Sequence, residues 1–371
     1  MGIASKLAAQ EDKDEDPKPA PTRWTDGDTL HLKGYDITLS APVLVAEGDK
    51  TDILCMPTVT KLASGDLLVV MMNQTDVPHY PVTGVTSFSS DGGLNWTEPV
   101  AFEHFSGVNL QLPSGDELIL PFLRAWMPDG DVSTPYNLIR KGERKLELKR
   151  GLEVTGFPEA HATLSAEGTL IGSFHFDGQV VKLKNGHYFA TLYGYQKSGG
   201  IRIIGAESAD GIHWKVVGTI AGRSGKVNER GEGPTEAALC RLKDGRLMCV
   251  YRVDNNIPYG QTWSSDEGRS WTEAIECRGP MSVEPNLAVL KDGAVLLAGG
   301  RPGAKLWLNQ DGTGKDWQEV DMIKHRYKYQ SESTKNGDTT GYNKIALLDD
   351  THLLYVYDYG RTPPVARVEV V

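Results

Sequence analysis

Six positions that stand at one fixed distance from six similar turns carry most of the side chains that could do chemistry. Each lies nine residues before a turn residue, and they are Met56, Ser106, Asp177, Glu236, Glu284 and Tyr342. The strands leaving these turns run back to the same level and bring Met72 to Gln74, Arg124, Tyr193, Arg252, Arg301 and either Asp358 or Arg361. One face would therefore collect carboxylates, a Tyr and several Arg, as a site for a polar, anionic ligand requires.

These residue types suggest two chemical roles, carboxylate binding and nucleophilic attack, and one structural role, salt bridges between sheets. Arg presents a planar fork of donors that fits a carboxylate. A Tyr hydroxyl, whose ordinary pKa is about 10, becomes a nucleophile when a neighbouring base takes its proton. Glu236 and Tyr342 share one offset and are expected at the same mouth. Asp177 and Glu284 fit salt bridges between neighbouring sheets equally well.

Six β-hairpins would hold these positions. Each joins two apolar runs through an Asx-Gly, Ser-Gly or similar turn, at residues 58–70, 109–122, 180–192, 237–251, 287–298 and 345–357. The turns lie 48 to 71 residues apart, which is typical of propeller blades and not of alternating strands and helices. The sequence therefore predicts an all-β fold, a six-bladed β-propeller with four-stranded antiparallel blades.

A second repeat supports the same architecture. The pattern S-x-D-x-G-x-x-W occurs at Ser89 to Trp96 and at Ser264 to Trp271, with degenerate copies at 208–214 (one residue short) and 309–317 (one residue long). Ser and Asp side chains bond nearby backbone groups, Gly permits a positive φ, and Trp fills space between sheets. These residues therefore indicate architecture and not chemistry.

Composition limits the function and the boundaries. The net charge of −10 and the lack of a basic stripe argue against a nucleic-acid partner, and no apolar run is long enough to span a membrane. Residues 1–28 are acidic and Pro-containing and are expected to be disordered or extended. The propeller is assigned to residues 29–371, with strands near 30–46 and 365–371 sharing the last blade to close the ring.

The first segment also lacks the apolar region of a signal peptide. A secreted or periplasmic protein whose leader is absent from this chain is one interpretation, and a cytoplasmic protein is the other. The four Cys show no metal-ligand spacing, and no cofactor is predicted. Counting from the turn at Asp244 pairs Cys240 with Cys249 across a hairpin, where two reduced, buried thiols are expected because a bridge there would be strained.

Several of these motifs together resemble the sialidase (neuraminidase) superfamily of six-bladed Asp-box propellers, over nearly all of residues 29–371. The segment from Glu236 through Asp244-Gly245 to Arg252 is similar to a hairpin in which sialidases carry a Glu and a substrate-gripping Arg. Gly341-Tyr342-Asn343-Lys344 resembles the segment bearing their nucleophilic Tyr. The resemblance implies a hydrolase in which Tyr342 is the nucleophile and Glu236 its proton acceptor, with no cofactor.

The other candidate residues are those expected around the same mouth. Arg252, Arg301 and Arg124 would bind the substrate together with Asp177, Glu284, His175 and His79. The general acid is expected on the loop after the first hairpin, where Asp76 is the first candidate and His79 the second. One departure concerns Cys55, which stands where sialidases place the first Arg of their carboxylate-binding triad. Arg124 is the candidate replacement, and sialic acid itself is in doubt.

Three functions therefore stand as hypotheses. The first is an exo-acting, sialidase-like glycosidase acting on an acidic or polar terminal sugar of a glycan or polysaccharide. The second is a polysaccharide lyase for a uronate-containing glycan that uses His175 or Tyr342, because His175 lies just before Asp177 and His, Tyr and Arg on a propeller also resemble uronate lyases. The third is a non-catalytic carbohydrate-binding propeller. Matching positions for Glu236, Arg252 and Tyr342 favour hydrolysis.

Overall fold

The computed structural model describes residues 27–48, 53–74, 82–122, 134–156, 163–164, 170–171, 174–195, 200–329, 339–359 and 367–371. Within these ranges the chain is almost entirely β-strand, so the predicted all-β class is confirmed. None of the helices described there is long and apolar enough to cross a membrane. Because residues 1–26 lie outside these ranges, the division of the chain near residue 28 stays a prediction.

The described chain begins with a hairpin, a single strand and the first blade. The hairpin is β1 (Asp28–Leu32) and β2 (Tyr35–Leu39), followed by β3 (Val43–Glu47). The blade is a four-stranded antiparallel sheet of β4 (Cys55–Lys61), β5 (Leu67–Met72), β6 (Thr83–Ser89) and β7 (Val100–Glu103). Every residue of β5 is buried, and alternate residues face two different hydrophobic cores. Such two-sided burial is expected of a strand between neighbouring sheets.

The next two sets of four strands form one eight-stranded sheet. The first set is β8 (Val108–Gln111), β9 (Glu117–Leu120), β10 (Thr134–Ile139) and β11 (Leu146–Thr155). A short separate hairpin follows, with β12 (Thr163–Leu164) and β13 (Leu170–Ile171). The second set is β14 (Phe174–Lys182), β15 (Tyr188–Tyr195), β16 (Ile201–Ser208) and β17 (His213–Ala221). The last residues of β11 pair in parallel with β17, which joins the two sets at their outer strands. The prediction of six separate four-stranded blades is therefore not confirmed.

Three further four-stranded sheets complete the fold. The first contains β18 (Thr235–Arg241), β19 (Leu247–Arg252), β20 (Pro258–Ser264) and β21 (Ile275–Met281), and the second β22 (Asn286–Val289), β23 (Val295–Gly299), β24 (Lys305–Asn309) and β25 (Gln318–Asp321). Helix α1 (Met322–Arg326) and a 3-10 turn (Tyr327–Tyr329) follow, and then β26 (Asn343–Leu347), β27 (Leu353–Tyr359) and β28 (Arg367–Val370). Four sheets thus stand alone as four-stranded blades, and all six predicted hairpins are antiparallel pairs.

The two ends of the described chain meet in the last blade. β3 pairs with β28, so the strand order is β26-β27-β28-β3. The expected closure therefore involves Val43–Glu47, whereas β1 and β2 pair with each other and pack against the core of the last two blades. Arg326 of α1 holds the closing strand through a bidentate, buried ion pair with Glu369. Tyr357 donates a hydrogen bond of 2.8 Å to the same carboxylate.

The four repeated turns share one set of contacts. In each, a Gly N–H donates to the side-chain oxygen of the first residue, and a Trp indole N–H donates to the carbonyl of that Gly. The Gly–Trp spacing is constant, so the length differences lie before the Gly. In the fourth turn this Gly is Gly314 and not Gly312, which corrects the sequence alignment of that copy.

The predicted Cys240–Cys249 pairing is wrong by one residue. Leu242 N–H donates to Arg246 O, which closes the turn over three residues and places Cys240 opposite Met248 and Cys249 opposite Leu239. The two thiols consequently face different hydrophobic cores. Both are free and buried, as expected of reduced cysteines.

Gly178, beside Asp177, provides a test of how tightly the inner strands meet. Its φ is +73°, and a Cβ there would lie 1.8 Å from the backbone oxygen of Ala237 in the neighbouring blade. We expect Gly178→Ala to lower the free energy of unfolding by about 3 kcal/mol or more, because backbone of one blade or the other must move.

The matched control is Gly186→Ala in the turn of the same hairpin. Gly186 has a similar φ of +88°, but a Cβ would meet nothing within 4 Å. Only the left-handed conformation then costs stability, about 1–2 kcal/mol. Denaturant unfolding of both variants measures the difference, and equal losses would contradict the close inter-blade contact.

Candidate functional site

The strand starts predicted to line the mouth share an unusual backbone. A residue with positive φ stands at, or next to, five of the six positions: Met56 (49°), Gly178 (73°), Glu236 (33°), Glu284 (41°) and Gly341 (79°). At Glu236 the register of the β18–β19 ladder shifts, so this residue is bulged out of the pairing. Left-handed non-Gly residues are strained and tend to occur at functional sites.

Carboxylates near these strand starts bond the backbone of the neighbouring blade. Asp177 Oδ2 accepts from Ala237 N at 2.7 Å, and Glu236 Oε2 accepts from Glu284 N at 2.9 Å. Asp358, at the end of β27, accepts from Met56 N at 3.2 Å and thereby links the last blade to the first. The predicted inter-blade role therefore applies to Asp177, although through backbone hydrogen bonds.

Tyr342 and Glu236 are in direct contact, 106 residues apart in the chain. The Tyr342 hydroxyl donates to Glu236 Oε1 over 2.9 Å, and Arg252 Nη1 lies 2.7 Å from the same oxygen. All three side chains are largely buried. The equal offset in the sequence thus corresponds to a real juxtaposition, and the arrangement can pass a proton from a phenol to a carboxylate.

Opposing influences set the acidity of this cluster. Burial raises the pKa of Glu236, and the Arg252 guanidinium partly offsets that rise. Burial lowers the pKa of Arg252, but Glu236, Tyr342 and Glu232 together outweigh it and leave that pKa raised, so Arg252 stays charged. Arg301 lies over the Tyr342 ring with its guanidinium carbon 5.3 Å from the ring centroid. A carboxylate of raised pKa is a better proton acceptor than an ordinary one.

A second charged cluster lies beside the first. Lys344 Nζ contacts Glu284 Oε1 at 2.5 Å, and both side chains are largely buried. Burial raises the pKa of Asp177 well above its ordinary value, and the nearby Glu284 adds to this while Lys344 opposes it. Glu284 is thus part of an inter-blade ion pair. Sequence analysis missed Lys344, although alternation along a strand places it on the same side as Tyr342, two residues earlier.

His175 belongs to an aromatic group and not to the charged contacts. Its ring stacks on Tyr193 with centroids 5.1 Å apart and lies 4.9 Å from the ring of Phe122. Burial lowers the pKa of His175 to about 4 and raises that of Tyr193 well above its ordinary value. The imidazole is therefore neutral at pH 7.

Arg252 has a second carboxylate partner that spacing did not reveal. Glu232, in the loop between β17 and β18, lies 2.7 Å from Arg252 Nη2. Asn255 Oδ1 accepts from Arg301 Nη1 at 3.3 Å. Both residues lie in loops outside the hairpin repeat, so no offset from a turn could have pointed to them.

The remaining predicted residues are placed as follows. Asp76, His79, Arg124 and Arg361 lie outside the described residues. Ser106 is buried, and its hydroxyl accepts from Val108 N at 3.1 Å, which is a local backbone contact. Cys55 is buried, and Met56 occupies the strand-start position beside it.

Comparison with known proteins gives the class of fold. No protein-family model matches the chain, and no curated protein does. A protein of unknown function from Dyadobacter fermentans is similar with a TM-score of 0.66 and 18% identity, over 89% of this chain and 97% of that one. The Hadza microbial sialidase Hz136 is similar with a TM-score of 0.65 and 13% identity, over 90% and 69% of the two chains.

A third similar structure is that of the Trypanosoma rangeli sialidase with 2,3-difluorosialic acid, described as a covalent intermediate. Its TM-score is 0.57 and its identity 14%, over 94% of this chain and 58% of that one. At such identities the likeness shows the fold alone. The chain is therefore an all-β propeller with a sialidase-like fold.

The buried Lys344–Glu284 pair predicts a large stability effect. Lys344→Met leaves the Glu284 carboxylate buried without its cation, so we expect the free energy of unfolding to fall by about 3–5 kcal/mol. Lys291→Met is the matched control, because Lys291 pairs with Asp350 at the surface, where the two side chains are 76% and 62% exposed. That loss should be about 1 kcal/mol or less. Denaturant unfolding compares them, and losses of similar size would contradict the assignment of a buried pair.

Proposed function

We propose that the chain is an exo-acting glycoside hydrolase with a sialidase-like mechanism, acting on an acidic or otherwise polar terminal sugar of a glycan or polysaccharide. The observation that carries the proposal is the 2.9 Å hydrogen bond from the Tyr342 hydroxyl to Glu236 in a buried setting. A phenol needs such a base to become a nucleophile. The strained backbone at Glu236 adds support, because local strain is maintained where a defined geometry matters.

The proposed reaction has two steps. Tyr342 attacks the anomeric carbon while Glu236 accepts the phenolic proton, and the glycosidic oxygen leaves with a proton from a general acid, for which Asp76 is the candidate and His79 the second choice. The deprotonated general-acid residue then takes a proton from water, the resulting hydroxyl attacks the anomeric carbon, the bond to the tyrosine oxygen breaks, and Glu236 returns its proton to the phenol. Arg252 holds Glu236 in place, and Arg301 over the Tyr342 ring stabilises negative charge that develops on the phenolic oxygen.

The proposal includes a six-bladed ring. The eight-stranded sheet consists of two successive antiparallel sets of four strands, joined by only three parallel residue pairs at their outer edges. Counting each set as a blade gives six blades, with β4, β8, β14, β18, β22 and β26 innermost. The four repeated turns each connect the third strand of a blade to the outermost one, which is the position expected of Asp-box repeats.

A lyase with His175 as its base is disfavoured by the environment of that residue. A base whose pKa is lowered to about 4 takes a proton poorly at neutral pH. A purely carbohydrate-binding role does not explain the Tyr342–Glu236 contact or the strained backbone at Glu236. Because terminal sugars of glycans are exposed outside cells, we infer a secreted or periplasmic location, with the glycan as partner.

Removal of single groups tests the mechanism. Tyr342→Phe deletes only the hydroxyl, so we expect turnover to fall on the order of 10³-fold or more while sugar binding and folding are nearly unchanged. Glu236→Gln should lose a comparable amount, and the double variant little more than either single one, because the two groups act as a unit. Tyr355→Phe is the control, since its hydroxyl bonds a backbone carbonyl away from Glu236. Near-normal turnover by Tyr342→Phe would refute the nucleophile assignment.

A panel of aryl glycosides and polysaccharides tests the reaction class. Hydrolysis of a polysaccharide releases reducing ends and forms no new double bond. A lyase instead leaves an unsaturated sugar, whose double bond absorbs ultraviolet light. We expect reducing ends alone, and their loss in Tyr342→Phe. Unsaturated products would favour the lyase, and sugar binding with no product would favour the binding module.

A further inference from the structure

The outer part of the Arg252 guanidinium is occupied by the protein itself. Nη1 contacts Glu236 at 2.7 Å and Nη2 contacts Glu232 at 2.7 Å, so the two terminal nitrogens each face a different carboxylate. The Arg252 side chain is only 12% exposed, whereas that of Glu232 is 40% exposed. Glu232 is therefore the more accessible member of this ion pair.

The surrounding charges do not favour an anionic ligand at this position. Among the described residues in or beside this cluster, the carboxylates are Asp177, Glu232, Glu236, Asp254, Glu284 and Asp358, and the cations are Arg223, Arg252, Arg301 and Lys344. Lys344 is committed to Glu284. A ligand carboxylate at Arg252 would have to displace Glu232 and would remain beside Glu236, with like charges close together in a partly buried site.

We propose that Glu232 is a specificity-determining residue, which makes the site favour a sugar that presents a neutral hydroxyl to Arg252 over one that presents a carboxylate. A sugar hydroxyl both accepts and donates hydrogen bonds, so one hydroxyl can accept from Arg252 and donate to Glu232 at the same time. A carboxylate can only accept and is repelled by Glu232. This inference rests on the proposed function in that the sugar is taken to bind at the Tyr342–Glu236 centre.

The proposal narrows the substrate class. It disfavours sugars whose acidic group faces Arg252, and it favours polar, hydroxyl-rich terminal sugars in their place. The partial exposure of Glu232 means that its side chain can contact a ligand directly, so its effect on binding is a contact effect and not one transmitted through the fold.

The experiment compares each of two acidic sugars with its own neutral ester. Methyl glucuronoside and its methyl ester, and the methyl glycoside of N-acetylneuraminic acid and its methyl ester, are titrated calorimetrically into the full chain at pH 7 and low salt. We expect the wild-type protein to bind the ester of a pair more tightly than the acid. In Glu232→Gln the ratio of acid to ester affinity should rise about tenfold, because the repelling charge is gone. Glu232→Ala should shift the ratio in the same direction.

Glu229→Gln is the control, because it removes one negative charge from an exposed residue of the same loop without a contact to Arg252. Its ratio should equal that of the wild type. Tighter binding of the acid than of the ester by the wild-type protein would overturn the proposal, and so would an unchanged ratio in Glu232→Gln. The proposal would also be overturned if one of the acids bound neither the wild-type protein nor Glu232→Gln.

The outcome is separable from that of the proposed function. If the protein hydrolyses no sugar of the panel but the ratio of acid to ester affinity changes as expected, the role of Glu232 in selectivity stands and the hydrolase proposal fails. If turnover depends on Tyr342 but the ratio of acid to ester affinity does not change in Glu232→Gln, the hydrolase proposal stands and Glu232 does not determine its specificity.

Discussion

The hydrogen bond from one blade's backbone to the next blade's carboxylate is the interaction on which the centre of the molecule depends. Asp177, Glu236 and Asp358 each accept a backbone N–H from the neighbouring blade. Inner strands of a propeller converge, and their first N–H groups leave the ladder where the backbone turns left-handed. Buried N–H groups must be satisfied, and carboxylates that satisfy them are fixed in place. The same contacts that close the ring therefore orient the groups that could react.

This arrangement explains why so many charges lie at the centre. Desolvation raises the pKa of Asp177 and of Glu236, and nearby cations limit the rise. Lys344 forms an ion pair with Glu284, and Arg252 forms one with Glu236. A carboxylate with one oxygen on a backbone N–H and the other on a phenol, as in Glu236, has both a structural and a chemical contact. The structural contact and the proposed catalytic contact thus belong to the same side chain.

Periodicity in the chain was enough to predict the hairpins and to place Glu236 and Tyr342 at the same mouth, whereas their pairing was implied by the resemblance to sialidases. Strands alternate with a period of two residues and the turns recur, so a fixed offset from a turn corresponds to a fixed height in the blade. The Cys240–Cys249 pairing failed because the turn encloses one residue more than the count assumed, and a one-residue slip exchanges the two faces of a strand. The joined sheet was not predicted, because pairing of β11 with β17 depends on how two blades approach each other.

By itself the sequence determined the all-β class, the six hairpins, the inner position of Glu236 and Tyr342 and the resemblance to sialidases, because all of these follow from local patterns. Only the tertiary structure decided which charges neutralise one another. Glu232 reaches Arg252 from a loop without a repeat, and Lys344 reaches Glu284 from another blade. Such pairings depend on distances of a few ångströms between segments far apart in the chain, and residue types and spacings along one chain do not contain those distances.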